Sequence, residues 1–193
     1  MGMQSDVWSV TSFNDTAALR AAAAVGSTAA FTLITSNLPF NGAGAKVTVT
    51  SDGNDATTTF TVVGTNMAGE ALTEVITGVN ANTVTSTAYF NLVTSVTPSA
   101  TSANNISVGL SGLALPKCRI RGVYFVGATS AGSVIVTRVS DSRKVLNVVS
   151  AAGSGANAFN FYVPGEGIVS TYTIGDHATV TLSNVPTVTF LCG

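Results

Sequence analysis

The chain has 193 residues, of which 46% are hydrophobic and only 9% charged, and a formal net charge of -1. An ordinary soluble domain is about a quarter charged, so polarity here rests on Thr, Ser, Asn and Gly, the composition of short strands and tight turns. Intrinsic disorder needs low hydrophobicity with high net charge and is excluded, while the length suits one large or two small domains.

Residues 1–41 read as an N-terminal arm, extended or partly helical. The opening MGMQSDVWSV has no cationic head followed by an apolar run, so no secretory signal is predicted and synthesis in a cytoplasm is expected. Met1-Gly2 is not read as a myristoylation signal, because Asp6 stands where Ser or Thr is needed and Met3 follows. Trp8, the single tryptophan, is either a plug against a module core or an anchor on a neighbouring subunit. Asn14, Asp15 or Thr16 is placed to cap a short helix over AALRAAAA, which Gly26 would end. AAFTLITSNLPF then reads as an extended segment stopped by Pro39. Arg20 and polar residues interrupt this Ala-rich stretch, so no membrane span is expected.

Residues 42–115 form the first expected β module. In KVTVTS, Val47 and Val49 share one face and Thr48 and Thr50 the other, until the turn residues of DGND at 52 to 55 break the run. TTTFTVVG resumes the alternation with Phe60 and Val62 on one face. After TNMAG, the segment EALTEVITG places Leu72, Glu74 and Ile76 on one side and Ala71, Thr73 and Val75 on the other, which predicts a β-hairpin. NTVTSTAYFNLVTSVTPS and NNISVGLSG complete a predicted meander of about six strands.

Pro116 marks the seam, and residues 116–193 form the second β module. Its candidate strands are RIRGVYFVG, GSVIVTRVS, KVLNVVSA, AFNFYVPG, GIVSTY and TVTLSNVPTVTFLCG, separated by turn signals about every ten residues. The fold class is therefore all-β: two small sandwich- or barrel-like modules in tandem behind the arm. Cys118 and Cys192 fall near the start and end of the second module, where first and last strands often become neighbours. A disulfide is conceivable, but a cytoplasmic origin favours two thiols.

The small net charge hides an asymmetry. Before Pro116, Asp6, Asp15, Asp52, Asp55, Glu70 and Glu74 face Arg20 and Lys46, a balance of -4; from Lys117 onward, Lys117, Arg119, Arg121, Arg138, Arg143 and Lys144 face Asp141, Glu166 and Asp176, a balance of +3. This is either ordinary solvation of unrelated surfaces or the mark of one end docking on a large partner of complementary charge. Nucleic acid is not an expected partner, since the basic residues are few and no aromatics alternate with them.

No catalytic, cofactor-binding or metal residue is predicted. His177, the only histidine, reads as a loop residue in IGDHATV, and strand alternation points Asp176 elsewhere. His177, Cys118 and Cys192 are too few and too scattered for zinc. Glu70 and Glu74, on a strand, would lie about 13 Å apart, beyond the roughly 5 to 10 Å of glycosidase carboxylates, and read as a solvated face. Asp52, Asn54 and Asp55 offer calcium-type oxygens without the rest of an EF-hand loop, so turn chemistry is the simpler reading. NGAGAK places Lys46 too close for a phosphate loop, and GSG at 153 to 155 lacks the setting of a nucleophile elbow.

The segment from KVTVTSDGND through FTVVGTNMAGEALTEVITG to FNLVTSVT resembles a β module common among virion proteins of tailed bacteriophages. RGVYFVGATSAGSVIV and FYVPGEGIVSTYTIGDHATVTLSNVPTVTFLCG resemble a second small β domain of phage head-associated proteins. The resemblance covers roughly residues 42 to 193 and implies a structural, non-enzymatic virion protein without cofactors. Of the places such proteins occupy, the expected one is capsid decoration or cement on the outer head surface, as a homotrimer with the major capsid protein as partner. The alternative is a tail-associated or host-recognition protein.

Overall fold

The computed structural model describes residues 6–11, 14–34, 43–126, 131–149, 158–163, 168–170, 177–183 and 187–192. Among these the fold is all-β, with no helix. The chain divides into two compact units, one of Phe13–Ser111 and the other of Met1–Ser12 with Gly112–Gly193.

The first unit holds β2 (Asn14–Val25), β3 (Gly44–Ser51), β4 (Thr59–Thr65), β5 (Ala71–Thr77), β6 (Thr83–Thr85), β7 (Leu92–Pro98) and β8 (Ser102–Leu115) as far as Ser111. These strands do not run as a meander. One sheet has the order β2, β8, β3, β6 and the other β5, β4, β7, so strands distant in sequence become neighbours. The physical reason is burial: a strand of about seven residues hides only one face, and two sheets must close on each other to cover those faces. Both contribute to one core, with Val47, Val49, Ile106, Val108 and Leu110 from the first and Phe60, Val62, Ile76, Val93 and Val96 from the second. Alternation holds along β4, where Phe60 and Val62 are buried between half-exposed Thr59, Thr61 and Val63. On β3 it holds less cleanly, since Thr48 is buried along with Val47 and Val49.

The predicted hairpin is present. β4 and β5 pair from Thr59 opposite Thr77 to Thr65 opposite Ala71, leaving 66–70 as the loop. Gly69 takes a φ of 80° there, open to glycine without strain. Asn66 organises the loop: its side-chain oxygen accepts the N–H groups of Ala68 at 2.8 Å and Glu70 at 3.0 Å.

The helix expected over AALRAAAA is not formed; those residues lie in strand β2, paired with β8 through three register shifts. A lone alanine-rich helix of this length is marginal in water. As a strand, this run sends Ala18 and Leu19 into the core, together with Val25 at the end of β2. Asp15, placed to cap a helix, instead accepts the Ala17 N–H at 2.8 Å. The Arg20 guanidinium donates to the carbonyls of Ala23, Ala24 and Ile106 and lies 4.2 Å from the centre of the Phe31 ring. Of the described residues in the stretch read as an arm, β1 (Asp6–Thr11) pairs with β15 (Thr187–Cys192) and β2 with β8. Phe31 and Ile34 attach by N–H bonds to Val96 at 2.9 Å and Leu19 at 2.8 Å; Pro39 lies outside the described residues.

The second unit holds β1 (Asp6–Thr11), the last residues of β8 from Gly112, β9 (Arg119–Val126), β10 (Ser133–Arg138), β11 (Lys144–Val149), β12 (Ala158–Tyr162), β13 (Ile168–Val169), β14 (Ala178–Ser183) and β15 (Thr187–Cys192). One set of strands runs β1, β15, β9, β12, with β13 also on β9; the other runs β11, β10, β14 and the end of β8. Val123, Phe125, Val134, Val136, Val180, Val188 and Phe190 are buried. Each predicted strand segment carries a strand, and TVTLSNVPTVTFLCG carries two.

Candidate functional site

The acidic turn after β3 carries a cluster of polar contacts in the first unit. Asp52 accepts the Asn105 backbone N–H and its side-chain amide, both at 2.7 Å, one on each carboxylate oxygen. Asp55 is buried and accepts from the Ser51 hydroxyl and, at 3.0 Å, from the Asn104 amide. Burial works to raise the Asp55 pKa, but bonds from Ser51, Ser102 and Asn104 outweigh it and hold the carboxyl below its ordinary value. Asn54 accepts the Ala56 N–H at 3.2 Å. The three oxygen-bearing residues considered for calcium therefore face donors of their own chain, and Asp52 and Asp55 clamp the turn onto β8. Gly53 completes the fit, since a side chain there would overlap the Asn104 amide.

Glu70 and Glu74 take separate tasks. Glu70 accepts the Asn66 amide at 2.9 Å across the hairpin loop. Glu74 is not on a solvated face: it shares the inward side of β5 with Leu72 and Ile76. Its carboxylate accepts the Thr87 N–H at 2.7 Å, the Thr87 hydroxyl at 2.6 Å and the Ala88 N–H at 3.0 Å. Burial tends to raise its pKa; the Thr87 and Ala88 donors and the charge of Lys46 prevail and lower it. The ammonium of Lys46 itself lies 5.2 Å from the centre of the Tyr89 ring. Lys46 sits near the start of β3.

Two serines that sequence reasoning missed act as backbone clamps. Ser86, buried, accepts the Val47 N–H at 2.9 Å and donates to the Ala88 carbonyl at 2.9 Å. Ser170, also buried, accepts the Cys118 N–H at 2.9 Å and donates to the Pro116 carbonyl at 2.7 Å. Neither has a sufficient local signal, because Val47 lies 39 residues from Ser86 and the partners of Ser170 lie 52 and 54 residues away. The same is true of Asn104 and Asn105.

In the second unit, His177 is half-buried before β14 and its carbonyl accepts the Val139 N–H at 3.2 Å. Arg138 is buried at the end of β10 and pairs with Asp141 at 2.9 Å. Cys118 and Cys192 come together, with their sulfurs 2.8 Å apart. Asp176, Glu166 and the GSG at 153 to 155 lie outside the described residues, as do the side-chain contacts of Trp8, whose backbone pairs with Phe190.

Among the described residues no three His, Cys, Asp or Glu side chains converge as metal ligands would, and no helix is long and apolar enough to cross a membrane. The arrangement is one of internal clamps: carboxylates and hydroxyls accept and donate within the fold and fix turns to strands. Comparison of the chain with protein-family models, with curated proteins and with solved structures gives no match.

Proposed function

We propose that the chain is a structural protein of a tailed-phage virion, a decoration or cement protein seated on the outer surface of the head. Its partners are the major capsid protein and, in a homotrimer, further copies of itself. The reading rests on the resemblance of residues 42 to 193 to phage virion β modules. The observation that carries it further is the fate of the polar residues in those segments: Asp52, Asp55, Asn66 and Glu74 all bond to their own chain. Such side chains build a stiff β scaffold whose outer faces are left for adhesion. β5 presents one such face at a sheet edge, with Ala71, Thr73, Val75 and Thr77 exposed. An edge strand with an exposed face of threonine and valine suits contact with a neighbouring protein surface.

The units also differ in sign. The first has five carboxylates against Arg20 and Lys46, a net of -3, and the second a net of +2. Opposite signs favour one unit over the other as the foot on a charged lattice, and repeated weak contacts gain strength when several copies act together.

Purified protein added to phage heads that lack it tests the reading. Co-sedimentation with heads at a copy number in the hundreds supports decoration. Incorporation at tens of copies, confined to tails, supports the tail or host-recognition alternative. Turnover of host polysaccharide by the purified chain contradicts a non-enzymatic role.

A further inference from the structure

We infer that Cys118 and Cys192 are a redox staple: two thiols that a small-molecule disulfide converts into an intramolecular disulfide, locking the last strand of the second unit to the segment that leads into β9. Three observations carry this. The sulfurs are 2.8 Å apart, so they need to close by less than about 1 Å to reach the S–S bond length of roughly 2.05 Å. The backbone holds them there: Cys192 lies opposite Ile120 in the β15–β9 ladder, and Cys118 immediately precedes β9. The Cys118 segment is fixed in turn by Ser170, through its hydroxyl to Pro116 and Cys118 and through its N–H to the Cys118 carbonyl at 2.9 Å.

The two thiols differ in access, which orders the steps. Cys118 is half-buried and Cys192 is buried. A hydrogen bond with Cys192 lowers the Cys118 pKa; burial opposes this, and Ser170 adds to the lowering. The Cys118 thiolate attacks one sulfur of an external disulfide such as oxidised glutathione, forming a mixed disulfide and releasing one glutathione thiolate. The Cys192 thiolate then attacks the Cys118 sulfur and expels the second glutathione. Two protein thiols are oxidised, one small disulfide is reduced to two thiols, and the two protein protons pass to the departing thiolates or to water.

The cross-link spans a sequence separation of 74 residues, nearly the whole second unit, so it removes much of the freedom of the unfolded chain. This inference is independent of the proposed place in a virion.

The test uses the full chain, purified reduced and incubated in a buffer of oxidised and reduced glutathione. It is then quenched with acid, labelled with a maleimide and weighed intact. The expected product has lost two hydrogens, carries neither maleimide nor glutathione, remains a single chain, and yields a Cys118–Cys192 cross-linked peptide on digestion. Its melting temperature exceeds that of the reduced protein by about 5 to 10 °C. Retention of two maleimides, a persistent glutathione adduct, or a cross-link between chains would overturn the inference. Cys192→Ser should trap glutathione on Cys118, while Cys118→Ser should react at least about tenfold more slowly; the reverse order contradicts the roles given to the two thiols. Should either variant fail to fold, the mass and peptide result on the native sequence still decides.

Discussion

The two units share an architecture of short strands around an aliphatic and aromatic core, yet they are locked by different chemistry. In Phe13–Ser111 the locks are carboxylates: Asp52 and Asp55 clamp the acidic turn to Asn104 and Asn105 of β8, and Glu74 gathers the backbone at Thr87 and Ala88. In the unit from Gly112 onward, a carboxylate pair, Arg138 with Asp141, is joined by the buried Ser170 and by a pair of thiols that the first unit lacks. The core supplies most of the stabilisation in both, and the locks choose which turn sits on which strand. The difference should show in sensitivity: protonation should release Asp55 and Glu74 in the first unit, and oxidation should join the thiol pair in the second.

The strongest way to break the comparison is through the core, where the units should behave alike. Phe60 is fully buried among Val62, Phe90 and Val96, so Phe60→Ala should cost about 4 kcal/mol. Phe125→Ala should cost a similar amount in the second unit. Amide hydrogen exchange read by mass spectrometry should show protection lost mainly in the unit that carries the substitution.

Next comes the carboxylate lock. Asp55→Ala removes the acceptor for Ser51 and Asn104 in a buried setting and should cost about 2 kcal/mol in urea unfolding. Acid should act in the same direction. Asp55 and Glu74 have folded pKa values below their ordinary ones, so the unfolded chain binds protons more readily than the folded one. Their contribution is complete above the ordinary carboxylate range, near about pH 4, and is lost as pH falls through the depressed folded values. Urea midpoints of the first unit should therefore decline on acidification from pH 5 to 3, and Asp55→Asn should flatten that slope.

A smaller effect is expected at Ser170. Ser170→Ala leaves the Pro116 carbonyl and the Cys118 N–H without their buried partner, at a cost of about 1.5 kcal/mol. Unlike the loss of Asp55, this cost should be independent of pH between 3 and 5, which sharpens the contrast between the locks. Smallest is Val75→Thr on the outer face of β5, where the side chain is 58% exposed. Stability should change by no more than about 0.5 kcal/mol, while adhesion to a head surface through that face should weaken.

What could be read in advance follows from the range of each signal. Alternation is local, and it located the strands from Arg119 to Cys192 as well as the hairpin around Asn66 and Gly69. It also put Glu74 on the side of Leu72 and Ile76, although calling that face solvated overlooked the donors at Thr87 and Ala88 that make a half-buried carboxylate tolerable. The alanine run at 17 to 24 misled because helix propensity is also local, whereas Leu19 and Val25 answer to a core assembled from distant strands. Pairings such as β3 with β6 and β4 with β7, and clamps such as Asp52 to Asn105 across some fifty residues, have no nearby signature. Gly64 shows the limit well: a Cβ there would meet the Leu92 carbonyl oxygen at 1.9 Å, a constraint that exists only once β7 is alongside.

We propose these internally locked β units as an adhesive scaffold on a phage head. Cryo-microscopy of virions whose genome encodes this sequence tests it most directly. The account predicts density matching both units on the outer face of the head, repeated with the capsid lattice. Density confined to the tail, or particles without the chain, would contradict it.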